Sequence, residues 1–240
     1  MRVLDISVFH SLKRALTTHD LKYLKSIGVD YVALSSLDVA YSELQKKSNE
    51  RTLKVAKEMK LVPLMAFNPK EKKANDYLKS SLKNFKAVRV YPGHNQFSLT
   101  GEEFKSTLAS IEGEGVPVVV QFRVKWGDKV TVKVEEVCKL AREFRGINFI
   151  MSGVNYSDNL DIVRFARKLD NVFVDISYYQ GLSGVEFLVK EIGSKRVVLG
   201  TAYPILYPES SLLKVLCADI SEDEREEIAF NNATRLLSLT

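Results

Sequence analysis

Short apolar runs alternate with longer stretches of helical spacing from one end of the chain to the other. Runs of strand length and composition occur at RVLDISVF (2–9), YVALSS (31–36), LVPLMAF (61–67), AVRVY (87–91), PVVVQFR (117–123), NFIMS (148–152), VFVDIS (172–177) and RVVLG (196–200). Between them apolar residues recur three and four apart, as Leu21, Leu24 and Ile27 do early and Val134, Val137, Cys138 and Ala141 do later. That spacing predicts helices with one buried face. Each interval is long enough for a helical crossover, so consecutive strands are expected to run parallel. Eight such strand–helix units in 240 residues predict an α/β chain folded as a (β/α)8 barrel, a fold of about 250 residues. A doubly wound open sheet is the alternative, but no glycine-rich phosphate loop follows the first run. No Pro/Gly-rich linker interrupts the alternation, so residues 1–240 are read as one barrel domain. Its last helix starts at Ser221, with Glu224 at capping-box spacing.

Composition narrows the classes of protein. Hydrophobic residues make up 45% and charged residues 27%, an ordinary globular balance that argues against disorder. VPVVVQF (116–122) falls far short of the roughly 20 apolar residues of a membrane helix. MRVLDISVF lacks the apolar core and cleavage site of a signal peptide, so a cytoplasmic chain with no membrane association is expected. Cys138 and Cys217 lie in helical patterns and are expected as buried free thiols. The net charge is +5, with lysines crowded between Lys46 and Arg89 and acids between Glu209 and Glu227. Solvated helix faces explain this, and a polyanion-binding face is the competing explanation. No aromatic-interleaved basic motif, zinc knuckle or helix-turn-helix supports nucleic acid as a partner.

Barrel sites gather at the C-terminal ends of the strands, and alternation turns every second side chain inward. On that parity the inward polar positions are Asp5, Ser7, Arg89, Tyr91, Gln121, Arg123, Ser152, Asp175 and Ser177, with Phe9, Gly200 and Ala202 beside them. Two arrangements are open. Arg89, Tyr91, Gln121, Arg123 and the serines can line a donor-rich pocket for a small anionic molecule, since guanidinium binds carboxylate and phosphate bidentately. Alternatively, the arginines pair with Asp5 and Asp175 in a buried polar network.

Several of these segments resemble the amidohydrolase superfamily, in particular its amidohydrolase-2 branch of metal-dependent hydrolases and decarboxylases. VLDISVF is similar to the first-strand segment carrying Asp-x-His-x-His, VRVYPGHNQFSL (88–99) to the fourth strand and its loop, PVVVQF to the fifth, and INFIMSGVN (147–155) to the sixth. The C-terminal third carries the most specific likeness: NVFVDISYY, then IGSKRVVLGTAYP, then EREEIAFNNATRLLSL, with Asn232, Ala233, Leu236 and Leu237 in the closing helix. The resemblance implies one or two divalent metals at the barrel mouth. It also implies that the chain departs from the metal set. The first-strand His positions are Ser7 and Phe9, the fifth-strand position is Gln121, the sixth is Ser152, and the eighth-strand Asp position is Ala202. None is a strong zinc ligand, so no metal and no cofactor is expected unless His10 and His94, in loops facing the mouth, form a non-standard divalent site. His19 is read as a cap or a solvent-facing residue.

Three functions follow as expectations. The first is a metal-free pocket for a small anionic organic ligand, with hydrolase or lyase chemistry available to Asp5, His10, His94 and Asp175. The second is a non-catalytic relative serving as a ligand sensor or complex subunit, signalled by a mouth plugged by Phe9, Tyr91 and Tyr203. The third is a polyanion binder using the Lys46–Arg89 face. A homodimer is the oligomer that the lineage suggests.

Overall fold

Among the described residues nine parallel strands build the interior: β1 Leu4–His10, β2 Tyr31–Ser36, β3 Val62–Pro63, β4 Met65–Phe67, β5 Val88–Val90, β6 Val118–Gln121, β7 Phe149–Ser152, β8 Val172–Asp175 and β9 Val197–Val198. They belong to a computed structural model that describes residues 1–41 and 45–239. The third predicted run appears as two strands because Pro63 has no N–H to give to a ladder. Continuity survives the break: Leu64 N–H donates to Leu34 O at 2.9 Å, and Met65 N–H to Ala87 O at 2.8 Å. β3 and β4 therefore serve as one barrel strand. The ring closes where Ile6 N–H donates to Leu199 O (3.1 Å) and Phe9 N–H to Tyr203 O (2.8 Å), with a parallel bridge between Val8 and Tyr203. The expected (β/α)8 barrel is thus the observed architecture.

The crossovers carry α1 Thr18–Ser26, α2 Asp38–Tyr41, α3 Gln45–Met59, α4 Ala74–Ser81, α5 Pro92–Asn95, α6 Glu102–Ala109, α7 Val134–Glu143, α8 Asn159–Asp161, α9 Gly184–Ile192 and α10 Pro208–Leu216. The chain ends in α11 Glu222–Glu226 and α12 Asn232–Leu236, joined by the π-helical turn Glu227–Asn231. Ser221 caps α11 in the expected box with Glu224. Thr17, not His19, caps α1, and His19 is exposed. Cys138 is buried as expected, but Cys217 is exposed. Cys217 sits just past the end of α10 as its C-cap, where the helical pattern that suggested burial has stopped. Among the described residues no helix is long and apolar enough to cross a membrane.

Two apolar layers hold the barrel. One lies between strands and helices and includes Val8, Leu34, Phe67, Val120, Met151 and Val174. The other fills the N-terminal half of the interior: Leu4, Ile6, Ala33, Leu64, Ala87, Val119, Ile150, Phe173 and Val198 pack against Phe230, Ala233, Leu236 and Leu237 of the closing helix. Asn232 fastens that helix, donating from Nδ2 to Ser194 O (2.8 Å) and Val197 O (2.7 Å). Asn232→Ala strands both carbonyls at a fully buried position. It is expected to cost about 2 kcal/mol in a denaturant titration, and a loss below about 0.5 kcal/mol would show that the helix is held by packing alone.

Candidate functional site

Two residues beyond the apolar layer on the same strand faces stand Arg89, Gln121, Ser152 and Asp175. Gln121 is paired in register with Ser152, whereas Arg89 is paired with Val119 and reaches Gln121 through its side chain. β1 reaches this level through a register shift between Asp5 and Val8. The shift leaves Ile6 in the apolar layer and brings the Ser7 hydroxyl among the polar groups.

Arg89 is the centre of the layer and is fully buried. Its Nη1 donates to Gln121 Oε1 and to Ser152 Oγ (3.3 Å), and its Nη2 donates to Ile6 O and Ser7 Oγ, both at 2.9 Å. The guanidinium also lies over the Phe9 ring, 4.9 Å from its centroid, within cation–π range. Burial pulls its pKa down, while Tyr91, Asp175 and Asp5 oppose that. An arginine stays charged in this setting.

The compensating charge arrives through hydroxyls. Ser7 and Ser152 each donate to Asp175 Oδ2 at 2.6 Å, and Ser177 N–H donates to Asp175 Oδ1 at 2.8 Å. Each serine thus accepts a hydrogen bond from the arginine and donates one to the carboxylate. Asp5 accepts from Ser7 N–H (3.0 Å), Thr201 N–H (2.9 Å) and the Thr201 hydroxyl. Burial pushes its pKa up to about 6 against these hydrogen bonds.

Aromatic side chains close the layer from above. Phe9, Tyr178 and Ala202 form one buried cluster with Leu37, Ile205 and Leu206 against them. Val39, Ala40, Ala66, Tyr91 and Val124 form another. Tyr91 donates to Ser36 O at 2.8 Å, and burial raises its pKa to about 12. Tyr178 donates to Val124 O, and its ring stands edge-on to Trp126 at 5.4 Å.

The expected site residues therefore divide. Asp5, Ser7, Arg89, Gln121, Ser152 and Asp175 meet in one network, and Tyr91 sits above it. Arg123 leaves the group: its guanidinium faces Asp158 at 3.7 Å and Trp126 at 5.9 Å, while its backbone carbonyl accepts from Gln121 Nε2. Ser177 contributes its N–H to Asp175, but its buried hydroxyl has no partner. Tyr203, expected in the plug, instead turns out to Asp20 and Arg14, and Tyr178 takes its place. His10 and His94 have separate partners. His10 Nε2 meets Thr52 Oγ1 at 2.8 Å, and burial lowers its pKa to about 4. His94 faces Asp128 at 3.4 Å and the Tyr41 ring at 5.2 Å, and burial lowers its pKa too. Asp128 opposes that lowering.

Three participants escaped the sequence reading. Thr201 and Thr52 are single hydroxyls with no motif, one at an off-parity strand end and one inside a helix. Lys214 on α10 donates to Ile176 O (2.5 Å) and Ser177 O (3.3 Å), and burial lowers its pKa to about 8. Its place in an otherwise apolar helical stretch was the available signal.

The divalent ion implied by the resemblance does not fit these residues. Phe9 and Ala202 have no donor atom, and Ser7, Gln121 and Ser152 are neutral and already accept from Arg89. Zinc favours thiolate, imidazole or carboxylate. Among the described residues no three His, Cys, Asp or Glu side chains gather as a metal-holding group.

Residues 39–239 match the family model of the amidohydrolase family, Amidohydro_2. No curated protein sequence matches the chain. Solved structures of similar fold include a 2,6-dihydroxybenzoate decarboxylase from Rhizobium, with 14% identity, a TM-score of 0.81 and coverage of 100% of this chain and 99% of that one. A 5-carboxyvanillate decarboxylase from Sphingomonas paucimobilis has 12% identity, a TM-score of 0.78 and coverage of 100% and 99%. A dihydroxybenzoic acid decarboxylase from Polaromonas, solved with bound manganese and 2-nitroresorcinol, has 12% identity, a TM-score of 0.75 and coverage of 99% and 97%. At such identities these likenesses speak for the fold.

Proposed function

Because the chain belongs to the amidohydrolase family, we propose that it is a non-catalytic member, a complex subunit whose barrel mouth is packed core instead of a substrate pocket. The carrying observation is the seal. Phe9, Tyr91, Tyr178 and Ala202 are at most 1% exposed. Beneath them the terminal nitrogens of Arg89, Gln121, Ser7, Ser152 and Asp175 are bonded to one another, with Arg89 Nε and Ser177 Oγ left unpartnered. A small carboxylate would have to displace the aromatic cluster and then compete for a guanidinium whose two terminal nitrogens are already engaged.

The outer rim of the same face supports the subunit role. Tyr41, Trp126, Tyr156, Leu160, Leu182 and Tyr207 lie on the segments that follow the strands, each 48% exposed or more. Exposed tyrosine and tryptophan side chains are enriched at protein interfaces. Side chains of this size, exposed to that degree, offer on the order of 1,000 Å² together, against roughly 800 Å² per partner in a stable interface. The occupant we favour is a second copy of the chain.

Incubation with 2,6-dihydroxybenzoate and 5-carboxyvanillate, the compounds named for the decarboxylases of like fold, is expected to release no carbon dioxide above the buffer rate, with or without added manganese. Turnover would overturn the non-catalytic reading. Sedimentation equilibrium is expected to show a dimer that Leu182→Ser with Tyr207→Ser converts to monomer. A monomeric wild type would remove the second copy as occupant.

A further inference from the structure

Arg89 meets four of the five positions at which the family resemblance places metal ligands. It donates to Ser7, Gln121 and Ser152 and stacks over Phe9. The fifth, Ala202, lies in the aromatic cluster above with Phe9. The Arg89 guanidinium thus stands among the residues that replaced the ligands, with Asp175 joined to it through two serine hydroxyls. Lys214, whose Nζ donates to Ile176 O and Ser177 O, also interacts electrostatically with Asp175 from outside that set. We propose that the Arg89 guanidinium is a built-in cation at the seat of the lost metal, so that the barrel supplies from its own chain the positive charge its acidic residues require. The seat would then select for a planar guanidinium-type cation, and removal of the side chain leaves a site for one.

Physical chemistry favours this assignment over a merely space-filling arginine. Asp175 and Asp5 are both fully buried, and a buried carboxylate without a nearby cation is strongly disfavoured. A planar fork satisfies acceptors at fixed angles, as the Gln121, Ser152, Ser7 and Ile6 oxygens require, whereas an ammonium acts as a point charge. The inference rests on the mouth being closed, but it is tested without any reference to turnover.

Arg89→Ala is the test protein, and thermal melting is the readout. Removing one member of a buried charge set is expected to lower Tm by on the order of 10 °C. Millimolar ethylguanidinium, which restores the deleted group, is expected to raise Tm of the variant by several degrees and leave the wild type unchanged. Ethylurea, of the same shape but neutral, is expected to raise the Tm of neither protein. An equal response to both compounds, or to neither, contradicts the proposal. If Arg89→Ala yields no folded protein, Arg89→Met is compared with Arg89→Met, Asp175→Asn. With the cation absent the carboxylate becomes the destabilising group, so the double variant is expected to fold and to melt above the single one. A double variant no more stable than Arg89→Met overturns the built-in cation, whereas decarboxylation by the wild type would overturn the non-catalytic reading.

Discussion

Gly200→Ala is expected to destabilise the barrel by about 4 kcal/mol, at the far end of what single substitutions do. A β-carbon at this position would lie 2.8 Å from Cγ and 2.9 Å from Oδ2 of Asp175, distances that side chains do not tolerate. The carboxylate cannot simply step aside. It is held by Ser7, Ser152 and Ser177, and the first two of these also hold Arg89. Moving Asp175 therefore loosens the charge balance of the whole layer, and the penalty includes an imperfectly compensated guanidinium. Gly28→Ala is the natural control. Nothing lies within 4 Å of its added methyl group, and only its positive φ of +99° stands against it, which costs about 1–2 kcal/mol. Urea titrations of the two variants measure the difference. Equal losses would mean that Asp175 is not pressed against Gly200.

The second large effect is a pair of opposed pH dependences. Asp5 has its pKa raised from 3.8 to about 6, first by burial. A folded pKa above the unfolded value favours the protonated form, so this stability is fully present below pH 3.8 and is lost as pH rises through about 6. His10 has its pKa lowered from 6.5 to about 4, again first by burial. Its folded state favours the neutral ring, so that stability is present above pH 6.5 and is lost as pH falls through about 4. Each shift corresponds to about 3 kcal/mol. Between pH 4 and 6 the two slopes oppose each other, and in wild type they largely cancel. Asp5→Asn keeps an acceptor for the Ser7 and Thr201 N–H groups and is expected to become less stable on acidification relative to wild type. His10→Gln keeps a partner for Thr52 and is expected to become more stable on acidification relative to wild type. Denaturant titrations at pH 4, 5, 6 and 7 read both effects, and parallel curves for all three proteins would refute the assignment.

Much of this layer was legible in the sequence because strand parity is a strict rule. Arg89, Gln121, Ser152 and Asp175 were expected on inward parity near the strand ends, and their side chains meet inside the barrel. What parity cannot supply is partnership. Arg89 and Arg123 share inward parity by count, yet one pairs within the barrel and the other turns to the rim, because β6 ends at Gln121 and the chain beyond it no longer alternates. The break at Leu64 was foreshadowed by Pro63, whereas the register shift in β1 had no marker in its sequence. Thr201 shows a further limit. A lone hydroxyl becomes significant only once the strand closing the barrel brings it to Asp5, a contact spanning 196 residues. The aromatic plug was anticipated in kind, with Phe9 and Tyr91 in place. Tyr203 was exchanged for Tyr178 because the Asp20 and Arg14 pair draws the Tyr203 hydroxyl outward.

Calorimetric titration of manganese and zinc into wild-type protein purified without chelator, with elemental analysis of the same sample, tests the central claim most directly. A mouth filled by Arg89 and its partners predicts no stoichiometric ion in the purified protein and no saturable heat on titration. One tightly held ion per chain would contradict it.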